Sequence, residues 1–485
     1  MSTATSAQVR DQLGHPVIDA DGHVLEMFPA IYPFLREELG PDRFDVYLKQ
    51  GPPARLAVPK RRAAENLRDR TPQGAWWGAA CENTLDRATF MFPALLCERM
   101  GELGIDFSVL YTTHGLSTCS VPDTDLRLGT VRAFNRYYAE VYGPYREQLT
   151  VAAMIPMHTP DEAIAELRHS HELGLKVASF PEGVLRPIEA GPSQHPQLWP
   201  GQAHWYDTFG LDSAYDYDPV WATARELGYA PTFHGALGIR PSHTPSPTSY
   251  VCNHVGMFAG LVAPVCKSLF MGGVTRRFPD LPFAFLECGV SWAMQMLNDF
   301  VEHWEKRNLD ALSILDPSRL DVPALTDYFD RYGAAVRDRL EGDFADAVTS
   351  MAIDDGKAEG HDEWEHLDVR SAQDIVDRFS PSFYFGCEAD DRGVATAFPP
   401  FPPCDARLNA IFSSDMGHWD VSDVSTVLAE AHELVSEGLV SSDDFRRFTF
   451  ENPARLYLAA NPAFFEGTAV EKSTAALKSA GAGVS

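Results

Sequence analysis

The 485-residue chain is 45% hydrophobic and carries 68 acidic against 40 basic residues, a net charge of −28. A field of that sign repels phosphate backbones and anionic membrane surfaces, which argues against a nucleic-acid partner. The opening "MSTATSAQVRDQLGHP" lacks the basic and apolar regions of a secretory signal, and the apolar runs fall short of a bilayer span, so a cytoplasmic protein with no membrane partner is expected. Eight cysteines (81, 97, 119, 252, 266, 288, 387, 404) are scattered without a CxxC pair, which predicts reduced core residues and no thiolate metal site.

Short apolar runs alternate with helical patterns along most of the chain. The predicted strands, in order, are "VIDADGHV" (17–24), "FSVLYTT" (107–113), "LTVAAMIP" (149–156), "KVASFPEG" (176–183), "APTFHG" (230–235), "FAFLECG" (283–289), "SFYFGCE" (382–388) and "AIFSSDM" (410–416). Between them lie helices such as "TPDEAIAELRHSHELG", with Thr159 as N-cap, acids in its first turn and Gly174 at its end. Strands buried on both faces and separated by 10–20-residue helices predict βα units, and eight of them are the count of a (β/α)8 TIM barrel. An open doubly wound sheet is the other fold considered, but no glycine-rich phosphate turn follows the first strand.

The barrel is expected to occupy residues 15–460 as one domain, with long insertions at about 28–95, 184–215 and 305–380. The first two follow strand C-termini, the face on which barrels build active sites. Trp76, Trp77, Trp199 and Trp205 in these loops are either an apolar wall over the site or packing residues. Residues 461–485 are a C-terminal tail, of which the last stretch, "STAALKSAGAGVS" (473–485), is small and polar and is expected to fray.

Several predicted strands end on a residue that binds metal or moves protons. The first ends on Asp21 and His23, the fifth on His234, the sixth on Glu287 and the eighth on Asp415. Residues i and i+2 of a strand share a face, so Asp21 and His23 converge, with Gly22 clearing space between them. Imidazole and carboxylate together suit one divalent Zn, Mn or Fe ion, with no organic cofactor. Each residue also has an ordinary structural role open to it: a hydrogen-bonded histidine, an N-cap for Asp415, an arginine partner for Glu287. Their coincidence at one end of separate strands favours the metal site. Cys288 is expected to point to the opposite side of its strand from Glu287, and no G-x-S-x-G elbow is present.

"IDADGH", "ERMGELGIDFSVLYTTHG", "HELGLKVASFPEG", "TRRFPDLPFAFLECGVSWA", "SSDMGHWD" and "ENPARLY" occur in that order. This ordered set resembles the amidohydrolase-related metal-dependent hydrolases, in the branch of aminocarboxymuconate-semialdehyde decarboxylase and related aromatic-acid decarboxylases. The resemblance implies metal ligation by Asp21, His23, His234 and Asp415. Asp21 stands where many members have the first histidine of a His-x-His pair, and some decarboxylases of the branch carry an acid there. Glu287 stands where many members have an acid/base histidine, and it is expected to shuttle a proton or to orient a metal-bound water. His418 is expected beside the ligands, as is Asp19. Arg240, His114 and Trp292 are candidate substrate contacts, and His254 is a further candidate for the catalytic set beside Glu287 and Asp415. A homodimer is carried over as an expectation.

Three functions are weighed from the sequence. The first is hydrolysis of a small cyclic or aromatic acid, amide or lactone by a metal-activated water. The second is non-oxidative decarboxylation of an aromatic or unsaturated acid at the same site. The third is a barrel that has lost catalysis and serves for binding, suggested by the missing first histidine.

Overall fold

A computed structural model describes residues 4–50, 63–71, 73–74, 82–189, 203–235, 246–351 and 362–481. The eight predicted core strands all form: β1 (Ile18–Val24), β2 (Phe107–Thr112), β3 (Leu149–Met154) and β4 (Val177–Phe180), then, after a two-stranded antiparallel excursion of β5 (Val184–Pro187) and β6 (His204–Asp207), β7 (Pro231–Phe233), β8 (Phe283–Phe285), β9 (Phe383–Cys387) and β10 (Asn409–Phe412). They pair in parallel in the order β1-β2-β3-β4-β7-β8-β9-β10, with helices between them. Closure occurs just beyond the end of β10. The Asp415 N–H donates to the Asp21 carbonyl and the His23 N–H to the Met416 carbonyl, each at 2.9 Å. The fold is therefore a (β/α)8 barrel whose first and last strands meet at the residues the sequence singles out.

Helix ends follow local chemistry. Thr159 accepts from the Glu162 N–H and caps the helix Pro160–Glu172, and Gly174 leaves it at φ +82°. The outer layer between strands and helices is aromatic: Phe233, Phe285, Phe383 and Phe385 pack in a row, with Trp221 against Phe233 and Phe283. Trp292, a candidate substrate contact, belongs to this layer instead. It opens the helix Ser291–Arg307 and meets Phe285 and Phe385 edge-on, on the face of the sheet turned away from the barrel interior. The interior itself is filled by Ile18, Ala20, Val109, Tyr111, Ala152, Val177, Ala284, Leu286 and Ile411.

The tail departs from expectation. Phe464, Phe465 and Val470 are buried with Tyr457 and Phe107 under the N-terminal end of the strands, and residues Glu471–Gly481 are helical. The polar composition of "STAALKSAGAGVS" hid an apolar plug that lies immediately before it. The stretch Tyr250–Met271 also departs, having the length and hydropathy of a membrane span. Half of its most apolar window is buried, and Gly256 in the left-handed region divides it into two helices, the longer supplying Val262, Val265, Leu269 and Phe270 to the core. Among the described residues every cysteine is a free thiol; Cys81 lies outside them.

Candidate metal centre

Asp21 and His23 owe their shared direction to an irregularity in β1. The register slips between Asp19 opposite Ser108 and Gly22 opposite Leu110, a bulge that places Ala20 and Asp21 together against one residue of β2. Ile18 and Ala20 therefore fill the barrel while Asp21 and His23 also face inward, and Asp19 turns the other way. Asp19 accepts from Ser108 Oγ, Ser414 N–H, Ser414 Oγ and the Asp21 N–H, which ties β1, β2 and the end of β10 together. Gly22 clears room for this knot rather than for the ligands. A Cβ there would stand 2.7 Å from Asp19 Oδ2 and 3.2 Å from Ser108 Oγ.

The inward side chains converge. His23 Nε2 lies 3.2 Å from Asp415 Oδ1, 3.6 Å from Asp21 Oδ1 and 3.3 Å from His234 Nε2. His234 Nε2 lies 3.2 Å from Glu287 Oε2 and 3.8 Å from Asp21 Oδ1. Ligands held about 2.1 Å from one cation stand roughly 3.0–3.4 Å apart for octahedral to tetrahedral angles. The spacing is thus that of a coordination shell. Two overlapping sets can hold a cation: Asp21, His23 and His234, and His23, Glu287, Asp415 and His418.

Electrostatics point the same way. Burial pushes the carboxyls of Asp21, Glu287 and Asp415 well above the usual range, and neighbouring acids add to it; a backbone N–H of Glu287 opposes the rise at Asp21. Burial also lowers His23 well below its ordinary value and His234 to about 4, leaving imidazoles neutral and able to ligate. Neither oxygen of Asp21 accepts a well-formed hydrogen bond, and no Lys or Arg among the described residues pairs with any of the three acids. Three buried carboxylates without a cation are costly, and a divalent ion supplies the missing charge. The residues fit a Zn, Mn or Fe site.

Glu287 and Asp415 both adopt left-handed backbone, at φ +52° and +50°. Such strain at strand ends is held by the surrounding fold and re-aims the side chain. Cys288 borders both Met257, Phe258 and Leu261 and the outer layer, where its thiol meets Trp292 on the side expected from the sequence. Its thiol is pushed well up by burial, which suits a packing residue and not a nucleophile.

His418 stacks on His23 with ring centroids 3.5 Å apart and places Nδ1 2.6 Å from Asp415 Oδ1. The His114 backbone N–H donates to the buried Glu26, and its ring packs at a tilt against Phe28 and bears electrostatically on His418. His254 stands one layer out from the ligands and, like His114, bears electrostatically on His418. It meets Phe258 and Trp419 edge-on, and Phe258 in turn meets His234 at 6.2 Å. Arg240, Trp76, Trp77 and Trp199 lie outside the described residues, while Trp205 stands on β6. Two features escaped the sequence analysis. Phe258 packs against the ligand His234 with Trp419 in the same apolar cluster, and Glu388, immediately after β9, acts electrostatically on Asp21, Glu287 and Asp415 together. Glu388 was legible as a strand-end acid in "FYFGCE", by the criterion that found the others.

A sequence model of the family described as Amidohydrolase matches residues 123–340. That match covers less than half of the chain, and the fold it belongs to is the (β/α)8 barrel described above. The barrel is similar in fold to IDCase from Metarhizium anisopliae in its apo form, at a TM-score of 0.51 and 12% identity over 92% of this chain and 98% of that one. An amidohydrolase from Mycobacterium avium subsp. paratuberculosis aligns at 0.49 and 16% identity, over 92% of this chain and 100% of that one. A dihydroxybenzoic acid decarboxylase from Polaromonas sp. JS666, solved with bound manganese and the inhibitor 2-nitroresorcinol, aligns at 0.48 and 15% identity, over 93% and 99%. At such identities the likeness is one of fold. No curated protein matches the sequence.

Proposed function

We propose that the protein is a metal-dependent carboxy-lyase that removes the carboxyl group of a small aromatic or unsaturated acid without oxidation. One observation carries the choice over hydrolysis. The fully buried carboxylates able to serve as a base for water, Asp21, Glu287 and Asp415, stand within the ligand set, against which Phe258 packs with Trp419 in its cluster. An apolar face of this kind accepts a planar ring. Hydrolysis, ranked first from sequence alone, needs an ionised base beside the ligands, and the acid that neighbours them from outside their set, Glu388, is raised to about 8 and holds its proton.

A divalent cation held by Asp21, His23, His234 and Asp415, with Glu287 adjoining, would anchor a substrate carboxylate or neighbouring hydroxyl as a Lewis acid. The protein's own groups do the positioning. His418 fixes Asp415, the Asp19 knot fixes Asp21, and Phe258 and Trp419 offer the ring an apolar face. The test is to incubate metal-reconstituted protein in ¹⁸O-labelled water with a panel of ortho-hydroxybenzoic and unsaturated acids. Carbon dioxide release with a solvent proton at the vacated carbon is expected. A product that takes up ¹⁸O without losing carbon dioxide would restore hydrolysis, and a metal-loaded protein inert to acids, amides and lactones would favour a binding role.

A further inference from the structure

If the buried acids serve as ligands, the site still needs a group that gives a proton to the carbon losing its carboxyl, and the fold places one acid for that task. Glu388 follows the last residue of β9, at the same end of the barrel as the ligands. The Cys288 and Gly289 N–H groups donate to the Gly386 carbonyl on one side and the Ser413 N–H to the Cys387 carbonyl on the other. This wedges Glu388 between the strand ends that carry Glu287 and Asp415. Its side chain is half-buried, continues the face of β9 on which Tyr384 fills the interior, and acts electrostatically on Asp21, Glu287 and Asp415. Unlike Asp19 or Glu26, its carboxyl makes no hydrogen bond or ion pair among the described residues. We propose that Glu388 is the proton donor of this site.

The surroundings keep the proton in place. The charged groups bearing on Glu388 are Asp390 and Asp391 from its own turn and Asp420 beyond β10, while Asp21, Glu287 and Asp415 feel it from the ends of β1, β8 and β10. Arg392, next in its turn, is engaged with Glu433 and Glu437, and His254 bears on Asp420. Burial and these acids raise Glu388 to about 8. Glu287, hydrogen-bond distance from His234, is committed to the ligand set, whereas Glu388 is free to exchange with water.

The step rests on the decarboxylation proposed above and balances as follows. The Glu388 carboxylic acid gives its proton to the ring carbon that bears the carboxylate. The bond from that carbon to the carboxylate breaks, its electron pair returns to the ring and carbon dioxide leaves. Glu388, now a carboxylate, regains a proton from solvent.

The test compares full-length, zinc-loaded wild type with Glu388→Gln and Glu388→Asp. Carbon-13 NMR of glutamate-labelled protein reads the Glu388 carboxyl directly, assigned by its absence from the glutamine variant. We expect it to be protonated at pH 6.5 and to titrate near pH 8. Glu388→Gln should keep its metal content and thermal midpoint yet lose about 10²–10³-fold in kcat, the size of a general-acid contribution. Glu388→Asp should recover part of that rate and keep the alkaline fall in kcat. A carboxyl ionised from pH 6 upward overturns the inference whatever the reaction, and so does a glutamine variant within about twofold of wild type. If no acid is decarboxylated, the carboxy-lyase proposal fails by itself. The same variants are then compared on the amides and lactones, where a leaving group needs the same proton and an unchanged rate again overturns the role of Glu388.

Discussion

At Gly22 a side chain as small as alanine would press on Asp19 Oδ2, Leu110 Cδ2 and Ser108 Oγ, the first of them at 2.7 Å. Those atoms form the hydrogen-bonded knot that closes the barrel, so they cannot give way without loosening β1. Gly22→Ala is expected to cost about 1–3 kcal/mol, as other overpacked core sites do, and a thermal scan reads it. An unchanged melting midpoint would show that the knot has slack. Asp21 and His234 contribute ligands rather than packing. Asp21→Ala and His234→Ala should each lower bound metal well below the wild-type stoichiometry while leaving far-ultraviolet circular dichroism intact, with elemental analysis as the measurement. Retention of full metal in both would move the ligand set to His23, Glu287, Asp415 and His418, the other cluster the geometry allows.

Among the elements, the segment after the last barrel helix matters more than its composition suggests. Phe464 stacks on Tyr457 with ring centroids 4.5 Å apart and meets Phe465 and Phe107, sealing the end of the barrel away from the ligands. Lys176 adds a hydrogen bond to the Phe464 carbonyl. Removing that ring opens a cavity under the interior layer, so Phe464→Ala should lose about 3–5 kcal/mol in denaturant unfolding. Metal content, set at the opposite end, should not change. A loss under 1 kcal/mol would mean that the plug is dispensable.

For the molecule as a whole, stability should carry a pH dependence separable from the metal. Glu166 is buried 2% exposed between two helices, accepts from Asn135 at 2.8 Å and meets Arg132 at 3.4 Å. Burial outweighs these partners and raises its carboxyl from 4.5 to about 7. The folded state thus holds the proton more tightly than the unfolded one. Its contribution is complete below pH 4.5 and is lost as pH rises through about 7, on the order of 3 kcal/mol in all. Glu166→Gln should flatten the wild-type decline between those values, as measured by unfolding at a series of pH. Parallel curves for the two proteins would place the proton elsewhere.

The amino-acid sequence by itself determined the eight strands and the barrel, because buried parallel strands read as apolar runs and their intervening helices carry caps and amphipathic spacing. It also marked Asp21, His23, His234, Glu287 and Asp415, because chemistry-bearing residues stand at the ends of those runs. Tertiary structure alone decided how they point. The bulge in β1 turns Asp21 inward and Asp19 outward, the left-handed backbone of Glu287 and Asp415 aims their carboxylates at the ligand set, and Trp292 goes to the outer layer because its helix packs there. Period-two alternation predicts none of these, since each depends on one residue's backbone angle or on a partner strand distant in sequence. For the same reason the Phe258 and Trp419 cluster and the Phe464 plug were invisible in a linear reading. They exist only where helices and turns far apart in the chain meet at the two ends of the barrel.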